Sequence, residues 1–194
     1  MDKESIIKDA EKAYAAFLTS LGFDWENDPN MCDTPKRVSK MYVNELYSGI
    51  YDPAPKITAF DNVDKYDGII FSGAIDVKSQ CSHHAIAFFG KAYVAYIPGE
   101  KIIGLSKLNR IVDWFARRPQ VQENLNMQIA DYLDKTCIGN QGVAVMIECK
   151  HLCACVRGVQ QDSTMITSKL TGAFKDNPAA REEFYDFISF SKTK

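Results

Sequence analysis

The sequence predicts an α+β fold, an antiparallel four-stranded sheet with two helices on one face, preceded by N-terminal helices. Three observations lead there. Apolar residues from Ile7 to Leu21 recur at helical spacing, and capping signals mark a second helix before residue 50. From residue 69 onward the patterns run strand, strand, helix, helix, strand, strand, the order expected when helices gather on one face of an antiparallel sheet. Between these parts, "YDPAPKITAFDNVDKYDG" is rich in Pro and Asp, as connectors are. The expected organisation is a helical segment over 1–50, a connector over 51–68 and a catalytic body over 69–194, making one functional domain overall.

Each element has its own signal. Ile7, Ala10, Tyr14, Phe17, Leu18 and Leu21 predict an amphipathic helix over residues 3–21, ending near Gly22. Asp33 or Thr34 can cap a second helix, with Pro35 in its first turn and Gly49 at its end. "IIFSGAIDV" and "AYVAYIP" read as strands, being rich in β-branched and aromatic residues. "LSKLNRIVDWFARR" places Leu108, Ile111, Val112 and Phe115 on one helical face, and Pro119 closes it. "QVQENLNMQIADYLDKTC" repeats that spacing with Val121, Leu125, Ile129 and Leu133. "GVAVMIECKHLC" and "MITSKLTGAF" predict two further strands, and "NPAAREEFYDFI" a closing helix.

Composition narrows the function. The 194 residues are enough for a real core, and a formal net charge of −2 argues against a general nucleic-acid binder. Any phosphate site must therefore be a local cluster of basic side chains. No apolar run approaches the ~20 residues that cross a bilayer, so no membrane partner is expected. "MDKESIIKDAEKAYAAF" lacks the apolar block of a signal peptide. Six cysteines without an export signal predict reduced thiols and a cytoplasmic protein.

The chain owns three histidines, and each stands near a cysteine, in "SQCSHHAIAFFG" and "KHLCACVRG". Thiolate and imidazole are preferred zinc ligands, and a catalytic zinc takes three of them plus an open position. Cys81 and His84 are three residues apart, so a short turn can aim both at one ion. Cys153 is a natural third ligand if strand 142–153 passes beside them, leaving His83 and His151 free for proton transfer. Cys155 could add a fourth thiolate and make the site structural. Cys32, Cys137 and Cys149 read as buried small hydrophobes. The H-x-E and P-C-x-x-C signature of zinc nucleobase deaminases is absent.

In "GLSKLNRIV", Ser106 is a candidate N-cap, with Lys107 in the first turn and Arg110 on the same side. A helix start already favours anions, and these side chains would make it a polyphosphate cradle; a solvated helix start is the alternative. Arg157, Arg37 and Lys40 are further phosphate candidates or ordinary surface charges. Gln122 and Glu123 open the next helix, where a carboxylate beside an amide could read a purine edge or simply face solvent.

Taken together, "CSHH", "AYVAYIP", "IGLSKLNRIVDWFARRPQVQE", "HLCACVRG" and "MITSKLTGAF" resemble GTP cyclohydrolase I in order and spacing, and "DTPKRVSKMYVNELYSG" resembles that family's N-terminal helix. The resemblance covers roughly residues 33–188. It implies the tunnelling fold (T-fold) and a homodecamer of two pentamers, with active sites at subunit interfaces. It further implies Zn2+ held by Cys81, His84 and Cys153, and acid–base work by His83 and His151. Glu123 would bind the guanine edge with Gln122 nearby. Ser106, Lys107, Arg110 and Arg157 would bind triphosphate, with Arg37 and Lys40 reaching in from another subunit. The implied reaction turns GTP and water into 7,8-dihydroneopterin triphosphate and formate, an entry to pterin and folate biosynthesis. Zinc would bring the pKa of water toward ~7, and His83 would protonate N7 so that C8 becomes electrophilic.

Some positions depart from the family pattern. Ser82 stands where Glu is usual, Ala87 where Pro is usual and Asn124 where Arg is usual, while Cys155 adds a thiol. These changes leave a second reading, a catalytically impaired or substrate-shifted relative that still binds guanine nucleotide. A third, the nitrile reductase of deazaguanine synthesis, would leave the Cys81, His84 and Cys153 set unexplained.

Overall fold

The computed structural model describes residues 2–193, which divide into two units, residues 2–53 and 54–193. In the first, α1 (Lys3–Ser20) is capped by the Asp2 carboxylate, which accepts from the Glu4 N–H at 3.2 Å. It is followed by α2 (Thr34–Met41), a π-helical turn (Tyr42–Leu46) and α3 (Ser48–Tyr51). The single helix expected from residue 33 or 34 to Gly49 is thus broken, and Gly49 lies inside the last piece. The cause is local: the Tyr47 N–H reaches back to the Tyr42 carbonyl at 2.8 Å, five residues away, and widens the turn. Asp33 makes no side-chain cap; its carboxylate pairs with Arg37 at 3.2 Å. Cys32 is exposed, against the expectation that it is buried.

The second unit runs β1 (Ala59–Asp61), β2 (Ile70–Cys81), β3 (Ala87–Ile97), β4 (Lys101–Ile103), α4 (Leu105–Ala116), β5 (Pro119–Gln120), α5 (Gln122–Thr136), β6 (Gly142–His151), α6 (Leu152–Cys155), β7 (Thr164–Leu170), α7 (Gly172–Asp176) and α8 (Pro178–Lys192). The main sheet has the order β5-β2-β3-β6-β7; its four long strands are antiparallel and β5 joins the β2 edge in parallel. A small β1–β4 ladder falls partly within the stretch read as a connector.

Both faces of the sheet are covered. Leu108, Ile111, Val112 and Phe115 of α4 and Leu125, Ile129 and Leu133 of α5 pack with Val77, Phe88, Val94, Tyr96, Val145 and Ile147. On the other face Phe174, Phe184 and Ile188 pack with Tyr93, Ala95, Ala144 and Met146. Alternate residues of β3 thus enter different cores, as the two-residue period of a strand requires. A Cβ at Gly90 would lie 1.9 Å from the Glu148 carbonyl oxygen, so this crossing of β3 and β6 admits only glycine without a shift.

Three boundaries differ from the sequence reading. Gly104 rather than Ser106 is the N-cap of α4, which puts Ser106 inside the first turn. β6 stops at His151, so Cys153 sits on the short helix that follows rather than on the strand. β7 stops at Leu170, where the Thr171 hydroxyl accepts from the Val143 N–H at 2.9 Å and Gly172 turns left-handed with φ of 49°. Among the described residues no helix is long and apolar enough to cross a membrane.

Candidate metal centre and its flanking acid–base groups

The centre begins where β2 reverses into β3. Gln80 pairs with Ala87, and the six residues from Cys81 to Ile86 form the reversal. It is closed by Cys81 N–H to Ile86 carbonyl at 2.9 Å and Ala85 N–H to Cys81 carbonyl at 2.8 Å. Ala85 is left-handed, with φ of 52°, a conformation that costs a non-glycine residue roughly 1–2 kcal/mol and that this tight reversal imposes. The reversal leaves Cys81 buried while His83 and His84 are exposed. Both rings nevertheless turn toward the thiol, each with Nδ1 at 3.8 Å from the Cys81 sulfur.

Sheet register delivers the rest. β3 and β6 pair with Phe88 opposite His151, so β6 ends beside the reversal. α6 then carries Cys153 back toward Cys81. The ligand atoms of Cys81, His84 and Cys153 all lie within 4.8 Å of one another. Tetrahedral zinc with bonds of about 2.0–2.3 Å would need them roughly 3.6–3.8 Å apart, so the donor set and its spacing fit that ion with little movement. Burial first, and the neighbouring Cys81 second, push the Cys153 thiol above its ordinary pKa, with Arg157 opposing. A cation between the sulfurs would reverse that direction, because thiolate is the ligating form.

The two-residue strand β5 stitches the start of α5 to the same place. Cys81 pairs with Gln120, and the Ser82 N–H donates to the Gln120 carbonyl at 2.9 Å. The buried Gln120 amide donates to the Phe115 carbonyl at 2.7 Å and to Gln128 at 2.9 Å, fixing the link between α4 and α5. Gln122 and Glu123 consequently open α5 near the end of β6. His151 Nε2 lies 2.8 Å from Gln122 Oε1, and its ring stacks on Phe88 at 4.5 Å with an interplanar angle of 8°. Burial lowers the His151 pKa, favouring the uncharged ring, with the Glu123 carboxylate pulling the other way.

Of the residues singled out from sequence, the chain therefore brings together Cys81, His83, His84, Gln122, Glu123, His151, Cys153 and Arg157. Cys155 is half-buried and outside the ligand set. Cys137 and Cys149 are buried, and burial pushes both thiols up to about 12, as inert core residues. Ser106 and Lys107 stand in the first turn of α4, and Arg110 is the sixth of its twelve residues. The other end of that helix is the one at the reversal, where the Ser79 hydroxyl donates to the Arg118 carbonyl at 3.3 Å. Twelve helical residues span ~18 Å, so Ser106 and Lys107 lie most of a helix length, and Arg110 about half of one, from the helix end at the reversal. Arg37 and Lys40 are exposed on α2 of the N-terminal unit. Sequence reasoning missed the Phe88 stack and the four-partner burial of Gln122, neither of which has a sequence signal of its own.

Fold and site define a class: an α+β protein with a candidate Cys2His metal centre flanked by two imidazoles and a carboxylate. The family model described as GTP cyclohydrolase I matches residues 10–189. The chain is 45% identical over 188 residues to a protein named GTP cyclohydrolase 1 from Flavobacterium johnsoniae, covering 95% of this chain and 81% of that one. It is 44% identical over 194 residues to the protein of that name from a Sulfurihydrogenibium species, covering 99% and 98%. A crystal structure titled as the archaeosine synthase QueF-Like in the apo form aligns with a TM-score of 0.39 at 15% identity, over 53% of this chain and 93% of that chain, too slight a likeness to carry an argument. The chain belongs to the GTP cyclohydrolase I family.

Proposed function

We infer that this chain catalyses its family's reaction, the conversion of GTP and water into 7,8-dihydroneopterin triphosphate and formate. The observation that carries the reading is the convergence of Cys81, His84 and Cys153, with His83 and His151 beside them and not needed as ligands. Zn2+ suits two thiolates and an imidazole, and three protein ligands leave the open position of a catalytic site. Bound there, it supplies a Lewis acid that makes water nucleophilic near neutral pH.

The remaining steps belong to the chain's own groups. Glu123 is exposed at the start of α5, where its carboxylate can accept from the guanine N1–H and exocyclic amine. His83 sits over the Cys81 sulfur and gives its proton to N7, making C8 electrophilic. His151, stacked on Phe88, moves protons as the imidazole ring opens and formate leaves. The ribose then rearranges through its 2′-hydroxyl before the new ring closes.

Triphosphate binding falls to Ser106, Lys107, Arg110 and Arg157, with Arg37 and Lys40 added. Because Ser106 and Lys107 lie toward the end of α4 that is away from the reversal, a second copy is the natural source of the α4 that serves the first copy's metal centre. A homodecamer of two pentamers built from T-fold sheets meets that need, and each chain then acts as one functional domain with its helical front, connector and body. A cytoplasmic site of action, where GTP is available and thiols stay reduced, completes the reading. Ser82 does not favour an idle relative. Its side chain is exposed and its N–H is held by the Gln120 carbonyl at 2.9 Å, so the reversal keeps its shape without a carboxylate at this position.

Incubating the zinc-loaded protein with GTP should release formate and a product that oxidises to a fluorescent pterin in equal amounts. With dGTP, which lacks the 2′-hydroxyl, the pterin should be absent. Formate without pterin from GTP would remove the rearrangement from this chain's activity, and neither product would overturn the reading.

A further inference from the structure

We propose that Gln122 is a positioning residue that holds His151 with its hydrogen on Nε2, making Nδ1 the nitrogen at which protons come and go. The proposal rests on the reading of His151 as an acid–base group given above.

The argument is one of donors and acceptors. Gln122 is buried, at 1% exposure. Its Nε2 end lies 3.0 Å from the Ile147 carbonyl, 3.1 Å from the Met165 carbonyl and 3.0 Å from the Thr167 hydroxyl. Main-chain carbonyls only accept, so the group facing them must be the NH2. The amide oxygen therefore faces His151, and it too can only accept. His151 Nε2, at 2.8 Å, must carry a hydrogen. Reversing the amide would set an oxygen against two carbonyls and an N–H against the imidazole, losing several buried hydrogen bonds at once.

The surroundings keep this arrangement in place. Asn126, one turn further along α5, donates to the Gln122 carbonyl at 3.3 Å and also to the Thr167 hydroxyl. Ile147 belongs to β6 and Met165 and Thr167 to β7, so two paired strands grip one end of the amide. Phe88, on the other neighbour of β6, holds the ring plane by stacking. A histidine whose other nitrogen is held this way has its tautomer and its orientation set together, as in catalytic sites where a third group orients the base. With both ends of its amide committed, Gln122 works through His151 rather than on the purine.

The test uses the zinc-loaded protein labelled with 15N-histidine, in which only three imidazoles contribute. Ring-nitrogen shifts should show His151 protonated at Nε2 and unprotonated at Nδ1, with the resonances assigned by their loss in His151→Asn. In Gln122→Met, which keeps length but cannot accept, the two tautomers should mix. Turnover should fall roughly 10–100-fold, with zinc content unchanged and KM for GTP altered less than about threefold. A wild-type His151 carrying its proton on Nδ1 overturns the proposal. So does a Gln122→Met protein whose KM rises while kcat stays, since that marks a purine contact. If Gln122→Met does not fold, the wild-type spectrum decides alone. A wild type with the expected tautomer but no turnover of GTP would sink the proposed reaction and leave the positioning role intact.

Discussion

Cys153→Ser is expected to lose its zinc and to lose at least roughly 10³-fold in kcat/KM for GTP, the equivalent of several kcal/mol of Lewis-acid stabilisation. Cys153 is the ligand supplied from furthest along the chain, and α6 presents it to a reversal whose own hydrogen bonds do not depend on it. The variant should therefore fold, with the β2–β3 register intact. Cys155→Ser, two residues on, should keep both metal and turnover, because Cys155 lies outside the ligand set. Metal analysis of the two purified variants beside a formate assay reads both effects. Equal metal content in Cys153→Ser and wild type would remove Cys153 from the site.

His83→Ala is expected to retain a full complement of zinc yet lose about 10²–10⁴-fold in kcat, the usual worth of a positioned acid–base group. His83 and His84 are neighbours with the same 3.8 Å approach to the Cys81 sulfur, and sequence alone could exchange their roles. Only His84 joins Cys153 in the mutual set, so the two histidines should separate cleanly. His84→Ala should resemble Cys153→Ser in its metal content, and His83→Ala should not. Loss of zinc in His83→Ala, or near-normal turnover with zinc in place, would reassign the pair. Because His83 is exposed, the substitution opens no cavity and stability should be unchanged.

What was legible in the sequence is what is decided locally. The face carrying Leu108, Ile111, Val112 and Phe115 follows from helical periodicity and is buried as expected. The closeness of Cys81 and His84 follows from a three-residue spacing in a short reversal. Coverage of both sheet faces had a signal that is easy to pass over: the unbroken apolar run of "AYVAYI" fits a strand buried on both sides, whereas alternation would have marked one wet face. The rest depends on register and long-range pairing. β5 is two residues long, too short for any periodicity, yet it anchors α5 beside the reversal. Phe88 faces His151 only because β3 and β6 pair in one register out of several that a period-2 pattern allows. The N-cap of α4 is Gly104 rather than Ser106: Ser106 is the stronger capping residue type, yet it stands second in a helix whose actual cap makes no side-chain bond. In the sequence the approach of Cys153 to Cys81 is conditional on strand 142–153 passing beside the reversal, and the family resemblance points the same way; the residues between them do not encode it in any local pattern.

The central claim is that Cys81, His84 and Cys153 hold the metal on which GTP ring opening depends. Its most direct test is to strip the protein with a chelator, remove the chelator, and add zinc in increments while following formate release from GTP. Activity should be absent at the start, rise in proportion to added zinc and level off at one ion per chain. Full turnover by the stripped protein, or a plateau insensitive to zinc, would contradict the account.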